Sequence, residues 1–308
     1  MTGIHVDLGG TRIKISLIKD GKILDGAMIS AGPKSEFRSE LPEIVENIRR
    51  LSRMEKPAGL GFAFPGIVNP VTKRFVAVNG KYTDAPGFDA GAWAREQFDL
   101  PLVLDNDANA ALLGEVHYGC AKGASNAVIL ILGTGVGAAA MIHGRLVRGV
   151  HFQAGCIGGH FCVGGVKTGR QCNCGSRGCT EAYGSSWAMA TAVRKDPLFE
   201  KSGLSSEAVI DFRVLEKWEK SGDPLAFKVI EQCVDSWSAC AITHVHAYDP
   251  EVVILSGGVI RYGERIIRPI RDNIYSYAWT PWGNPDIKVS ENPESSVVLG
   301  LHYLLENG

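Results

Sequence analysis

The chain has 308 residues, 45% of them apolar, and 32 Lys plus Arg set against 33 Asp plus Glu. That length exceeds what one hydrophobic core fills comfortably, so two domains are expected, and balanced charge without like-charge blocks argues against nucleic acid or an anionic membrane as the main partner. The longest apolar runs, such as Ala127 to Leu132, are strand-sized and far short of the roughly 20 residues that a membrane span needs.

Ile4, Val6 and Leu8 alternate with polar residues and meet the turn Gly9-Gly10-Thr11. Ile13, Ile15 and Leu17 then resume a period of two up to Asp20-Gly21, which predicts strand, glycine turn, strand, hairpin turn and strand. Helical spacing of Leu41, Ile44, Val45, Ile48 and Leu51 predicts a helix over Ser39 to Leu51, followed by a strand from Gly59 to Phe64 that Pro65-Gly66 ends. Ala90 to Phe98 reads as a helix, Leu102 to Leu104 as a short strand and Ala108 to Tyr118 as a further helix. The opening pattern then recurs. Val128 to Leu132 is a strand, Gly133 to Gly137 the turn, Ala138 to Ile142 the next strand and His143-Gly144 the hairpin, with Thr134 and Gly144 spaced as Thr11 and Gly21 are. A long helix is predicted from Pro224 to Tyr248, a strand from Val252 to Leu255 ending in Ser256-Gly257-Gly258, and a last helix over Ser295 to Leu305. Two similar halves, each opening on a glycine-rich hairpin, predict a duplicated α/β architecture. The expected division is a small domain of 1–116, joined by the last helix (295–308), and a larger one of 117–294.

Glycine turns at strand ends let backbone N–H groups approach an anion closely. Gly9-Gly10-Thr11 and Gly133-Thr134-Gly135 are therefore candidate phosphate loops, with Asp7 as a metal-directed carboxylate and Lys14 and Arg12 near enough to balance phosphate charge. GTGVGA (133–138) lacks the helix that a dinucleotide fingerprint requires after its glycines, so NAD is not expected. Asp105-Asn106-Asp107-Ala108-Asn109 lies where a strand gives way to a helix, the usual side for ligands in open α/β sheets. Asp107 there is either a general base toward a sugar hydroxyl or, like Asp105, a helix cap.

His160, Cys172, Cys174 and Cys179 have a spacing that can close a tetrahedral zinc site of the structural kind, with Glu181 beside it. Eight cysteines also allow disulfides. The opening MTGIHVDLGG shows neither a basic segment nor an apolar run before a cleavage site, so a cytoplasmic setting, and metal rather than disulfide, is expected.

VDLGGTRIK (6–14), DNDANAALLGE (105–115), LGTGVG (132–137) and CNCGSRGCTE (172–181), in this order along nearly the whole chain, resemble the ROK family of sugar kinases and sugar-responsive repressors. The resemblance implies an actin-like, hexokinase-type (ribonuclease H-like) two-domain α/β fold with a cleft between domains, and ATP with Mg2+ in that cleft. It also implies Asp107 as catalytic base, Asn106 holding the sugar, His160 both ligating zinc and touching the sugar, Glu181 on a sugar hydroxyl, and Gly257-Gly258 lining the adenosine pocket. Gly66 and Asn79-Gly80 resemble the family's sugar-facing loops, and homodimers are common in the family. One departure stands out: the family usually reads Gly-Glu-X-Gly-His before the knuckle, whereas here either Cys156 or Ile157 takes the glutamate's place, so glucose affinity or the preferred sugar is expected to differ.

The reading is an ATP-dependent sugar kinase, glucokinase-like, acting on a hexose or N-acetylmannosamine. Its alternative is a sugar-binding regulatory protein or pseudokinase of the same family. Only six residues precede Asp7, so a repressor's helix-turn-helix is not expected ahead of it.

Overall fold

In the computed structural model, which describes residues 1–32 and 35–308, the alternation at the start becomes β1 (Thr2–Leu8). It pairs antiparallel with β2 (Arg12–Lys19), in the register Leu8 to Ile13, and β2 pairs antiparallel with β3 (Lys22–Ser30). After α1 (Phe37–Met54) the chain enters β4 (Gly59–Phe64), all six residues buried, which lies parallel to β1. A hairpin, β5 (Gly66–Asn69) and β6 (Arg74–Val78), follows, then α2 (Ala90–Phe98), and β7 (Leu102–Asn106) completes the sheet in parallel with β4. The strand order is β3-β2-β1-β4-β7. From β7 the backbone passes straight into α3 (Asp107–His117).

The second half repeats the plan with β8 (Ala127–Leu132), β9 (Val136–Ile142) and β10 (Arg145–Leu146). Helices α4 (Glu181–Gly184), α5 (Ser186–Lys195), α6 (Phe212–Lys220) and α7 (Pro224–Tyr248) lead to β11 (Val252–Ser256), α8 (Glu264–Tyr277), β12 (Asp286–Val289) and α9 (Pro293–Asn307). The order is β10-β9-β8-β11-β12, again a hairpin at one edge and parallel strands at the other. This is the duplicated mixed α/β fold expected. The sequence reading has no counterpart for β5–β6, α5, α6, α8 or β12. It also ended the second glycine turn at Gly137, whereas β9 already begins at Val136, so a strand follows these glycines directly.

Contacts gather the chain into two units, one of Met1–Ser125, Ala139–Cys156 and Ser290–Gly308, the other of Asn126–Ala138 and Ile157–Val289. The main core cluster of the first lies on one face of its sheet, with Ile4, Val6, Phe62 and Phe64 fully buried and Phe64 stacked on Phe75 at 4.2 Å. Within this unit α9 runs against α3 so closely that their backbones nearly meet at two glycines. A Cβ at Gly114 would lie 1.9 Å from the Ser296 carbonyl oxygen, and one at Gly300 would lie 1.8 Å from that of Ala110, so only glycine permits the approach. The buried carboxylate of Glu115 accepts hydrogen bonds from the hydroxyls of Ser290 and Ser296, and His5 of β1 meets His302 of α9 at 3.1 Å. The second unit is centred on α7, whose Trp237 is fully buried and donates from Nε1 to the Gly184 carbonyl at 3.1 Å.

Candidate active site

At the carboxyl end of β7, Asn106 caps α3. Its Oδ1 accepts from the N–H groups of Ala108 (2.9 Å) and Asn109 (3.2 Å). Its amide nitrogen donates to the Gly66 carbonyl at 3.1 Å and to Asp107 Oδ1 at 3.0 Å, so both lone pairs and both N–H bonds are engaged within the protein. Neither Asp105 nor Asp107 is the cap: the sequence expectation is corrected, because the short Asn106 side chain precedes the first helical residue, where a cap must sit. Asp107 is that first residue, half-buried, with Oδ1 also accepting from the Ala108 N–H at 2.8 Å. Loss of solvation pushes its carboxyl up to about 6, against the hydrogen bonds from Ala108 and Asn106 that favour the anion. A carboxylate that titrates near neutrality at a strand end is suited to proton transfer.

Asp105 is buried and does structural work. It accepts from the guanidinium of Arg148 through both oxygens, at 3.0 and 2.5 Å, from Asn109 Nδ2 at 3.0 Å, and from the Asn106 N–H at 2.8 Å. The pair thus braces the residues on either side of the cap. Cys156 faces the same carboxylates: burial first, then Asp107 and Asp105, raise its thiol to about 12, so it stands as a neutral donor toward the Gln153 carbonyl at 3.4 Å.

Asp7 lies at the end of β1, and among the described residues its carboxylate accepts no hydrogen bond. Burial and the like charge of Asp107 raise it to about 7, while Lys14 pulls the other way. Lys14 itself donates to the Glu294 carbonyl. In the following turn the Gly9 and Gly10 carbonyls accept from Lys81 Nζ at 3.3 and 3.1 Å, the Tyr82 hydroxyl donates to Gly9 at 3.3 Å, and the Thr11 carbonyl accepts from the Ala31 N–H at 3.1 Å. Gly10 and Thr11 are exposed, as are Asn79 and Gly80.

In the second unit the matching turn is fixed from α5, because the Gly133 carbonyl accepts from the Ser186 N–H at 3.1 Å and hydroxyl at 3.0 Å, leaving Thr134 exposed. Glu181, nearly buried, is held by the Val136 N–H at 3.2 Å and by Trp187 Nε1 at 3.4 Å, beside Gly135. Gly257 ends β11 with φ +94°, and a Cβ there would lie 2.4 Å from the Leu132 carbonyl oxygen, so no other residue lets these two strand ends pass. Gly258 next to it is exposed.

His160, Cys172, Cys174 and Cys179 converge, with all ligand atoms within 4.8 Å of one another. Cys174 Sγ and Cys179 Sγ are 3.7 Å apart, and Cys172 Sγ is 3.7 Å from His160 Nδ1. A tetrahedron with metal–sulfur bonds of about 2.3 Å and metal–nitrogen bonds of about 2.0–2.1 Å has edges of about 3.6–3.8 Å, so these spacings fit a four-coordinate metal. All eight cysteines are unbridged, and the sulfurs stand too far apart for disulfides. Burial raises the Cys172 and Cys179 thiols, and a dication entering the cluster displaces their protons. Because His160 turns Nδ1 to the cluster, its Nε2 is left for another partner.

The structure therefore gathers Gly66, Asn106, Asp107 and Asp7 within the first unit, and Gly133, Thr134, Gly135 and Glu181 within the second. Sequence reasoning missed Lys81, Tyr82, Arg148 and Ser186. Only Arg148 carried a signal, a cation needed by the buried Asp105.

Two five-stranded sheets of repeated order, glycine turns after their first strands and an Asp-Asn-Asp helix start define an actin-like fold of the sugar-kinase kind. The chain belongs to the ROK family, whose sequence profile matches residues 3–307. It is 30% identical to a glucokinase of Thermotoga maritima over 98% of this chain and 96% of that one. A xylose repressor of Bacillus spizizenii is 26% identical, over 87% of this chain and 69% of the repressor. Among solved structures, a ROK family glucokinase from Streptomyces griseus, in complex with glucose and AMPPNP, matches with a TM-score of 0.83 at 24% identity over the full length of both chains.

Proposed function

We propose that the protein is an ATP-dependent kinase of a hexose hydroxyl, with Asp107 as general base. The observation that carries this is Asp107 itself: a carboxyl raised to about 6, oriented by Asn106 and braced through Asp105 and Arg148, has the proton affinity and the fixed position that deprotonating an alcohol requires. Glu181, Gly66, Asn79 and Nε2 of His160 are the sugar's partners in this reading, with Asn106 acting through its hold on Asp107. The turns Gly9-Gly10-Thr11 and Gly133-Thr134-Gly135, with Lys14, take the triphosphate, and Gly257-Gly258 the adenosine. Asp7 suits magnesium, since its carboxylate has no hydrogen-bond donor among the described residues and is kept partly protonated without a cation. When bound, magnesium neutralises charge on the transferring phosphoryl group. The knuckle suits zinc, whose role with four protein ligands and no open position is structural.

Cys156, one of the two residues standing where the family's glutamate is expected, has Asp107 in its surroundings, and as a neutral thiol it gives a sugar hydroxyl no charged acceptor. A hydroxyl that loses a charged partner forfeits about 1.5–3 kcal/mol, which favours a preferred sugar other than glucose. The same observation supports the second reading, a sugar-binding regulator without efficient turnover. Coupled ADP release with glucose, mannose, allose, fructose, N-acetylmannosamine and N-acetylglucosamine decides between them. Turnover with one of these that disappears in Asp107→Asn is the expected result, and sugar binding without ADP release in the native protein would overturn the kinase.

A further inference from the structure

We propose that Lys81, assisted by Tyr82, is a positioning residue that latches the first glycine turn in its phosphate-accepting orientation, a proposal that rests on the kinase reading above. In a trans peptide unit the carbonyl of one residue and the N–H of the next point in opposite directions. Lys81 Nζ holds the carbonyls of Gly9 (3.3 Å) and Gly10 (3.1 Å), and the Tyr82 hydroxyl adds a second donor to Gly9. Both peptide planes are thereby turned so that the N–H groups of Gly10 and Thr11 face away from Lys81. Those two residues are exposed, and among the described residues neither N–H has an acceptor. Two adjacent donors aimed at solvent beside a strand end form a concavity for an oxyanion.

A Gly-Gly pair has little preference of its own between the two plane orientations, because neither residue carries a Cβ. Something outside the turn must choose, and the chain around Lys81 is shaped for that. Tyr82 is buried yet sits at φ +59°, and Gly80 at φ +90°, a backbone course that brings two consecutive side chains onto the same turn, where an extended strand would send them to opposite sides. The ammonium has three donors, and the turn uses two. Burial draws its pKa down from the usual lysine value and Glu40 opposes that, and the charge it carries lies beside the anion's position. The second unit holds its own turn the same way, with Ser186 fastening the Gly133 carbonyl through N–H and hydroxyl. There the latch is neutral.

The test uses the full chain and four proteins: native, Lys81→Met, Lys81→Arg and Tyr82→Phe. Calorimetric titration with Mg-ATP, separate titration with the sugar that is turned over, and steady-state kinetics are measured beside the melting temperature. Lys81→Met is expected to weaken Mg-ATP binding and kcat/KM for ATP by about tenfold, with sugar affinity and melting temperature unchanged. Tyr82→Phe should do less, and Lys81→Arg should recover most of the loss. Unchanged ATP affinity in Lys81→Met overturns the latch, as does a matched loss of sugar and ATP binding with a lowered melting temperature, the mark of a merely structural lysine. A native protein that turns over no sugar defeats the kinase reading alone: the latch then stands if Lys81→Met still weakens ATP binding, and falls if the native protein binds no ATP.

Discussion

Asp107 and Arg148 do opposite jobs with the same kind of interaction. Burial raises the Asp107 carboxyl to about 6, above its unfolded value, so the native state holds more protons than the unfolded chain between those two values. Its contribution to stability is therefore complete at low pH and is lost as pH rises through 6, whereas its basicity becomes usable over that same rise. kcat/KM should climb with a limb near pH 6. Asp107→Asn should lower kcat by about 10²–10⁴-fold while raising the melting temperature at pH 8, measured without ligands; a fall in melting temperature there would contradict the burial argument. Arg148 acts on stability instead, since its loss leaves Asp105 charged, buried and uncompensated. Arg148→Ala should cost about 3–5 kcal/mol by denaturant titration, and Asp105→Asn added to it should recover part of that.

Among the elements, the α3–α9 pair is the most constrained. Gly300→Ala puts a methyl group against the Ala110 carbonyl and should destabilise the protein by about 1–3 kcal/mol, read as a shifted denaturation midpoint; a neutral result would mean that α9 slides freely. The knuckle is an element that zinc would define in the proposed reading. Metal analysis should return about one equivalent of zinc per chain, and Cys174→Ser should lose it and expose 160–181 to proteolysis. These two elements differ in how far the sequence announced them. Cysteine spacing revealed the knuckle because ligand identity is chemically narrow, period-two alternation revealed β1 and β2, and short apolar segments ended by Pro65-Gly66 and by Gly133 revealed β4 and β8. The strands β5, β6 and β12 are short, and their burial comes from neighbours distant in sequence, so no local period marks them. Asn106 as cap was hidden among three other polar residues, all plausible on type alone.

For the whole molecule, duplication is what sequence displayed best, since the spacing from Thr11 to Gly21 recurs from Thr134 to Gly144 and both sheets follow one order. Contacts that tie distant segments were legible only in part. The last helix is expected with the first domain from the sequence, but the inclusion of 139–156 in the first unit is not, because Arg148 and Cys156 reach Asp105 and Asp107 across more than forty residues of chain. If the native protein binds sugar and Mg-ATP, each at 100 times its dissociation constant should add about 2.7 kcal/mol to unfolding, and sugar alone should do so in Asp107→Asn as well. The placement of α9 also bears on how the polypeptide is made. Gly114 of α3 is synthesised about 180 residues before the segment that covers it. A ribosome that pauses anywhere in between therefore holds a first unit with its histidine, its carboxylate and the notch at Gly114 open to water, and nascent chains arrested short of α9 are where chaperones should be found attached.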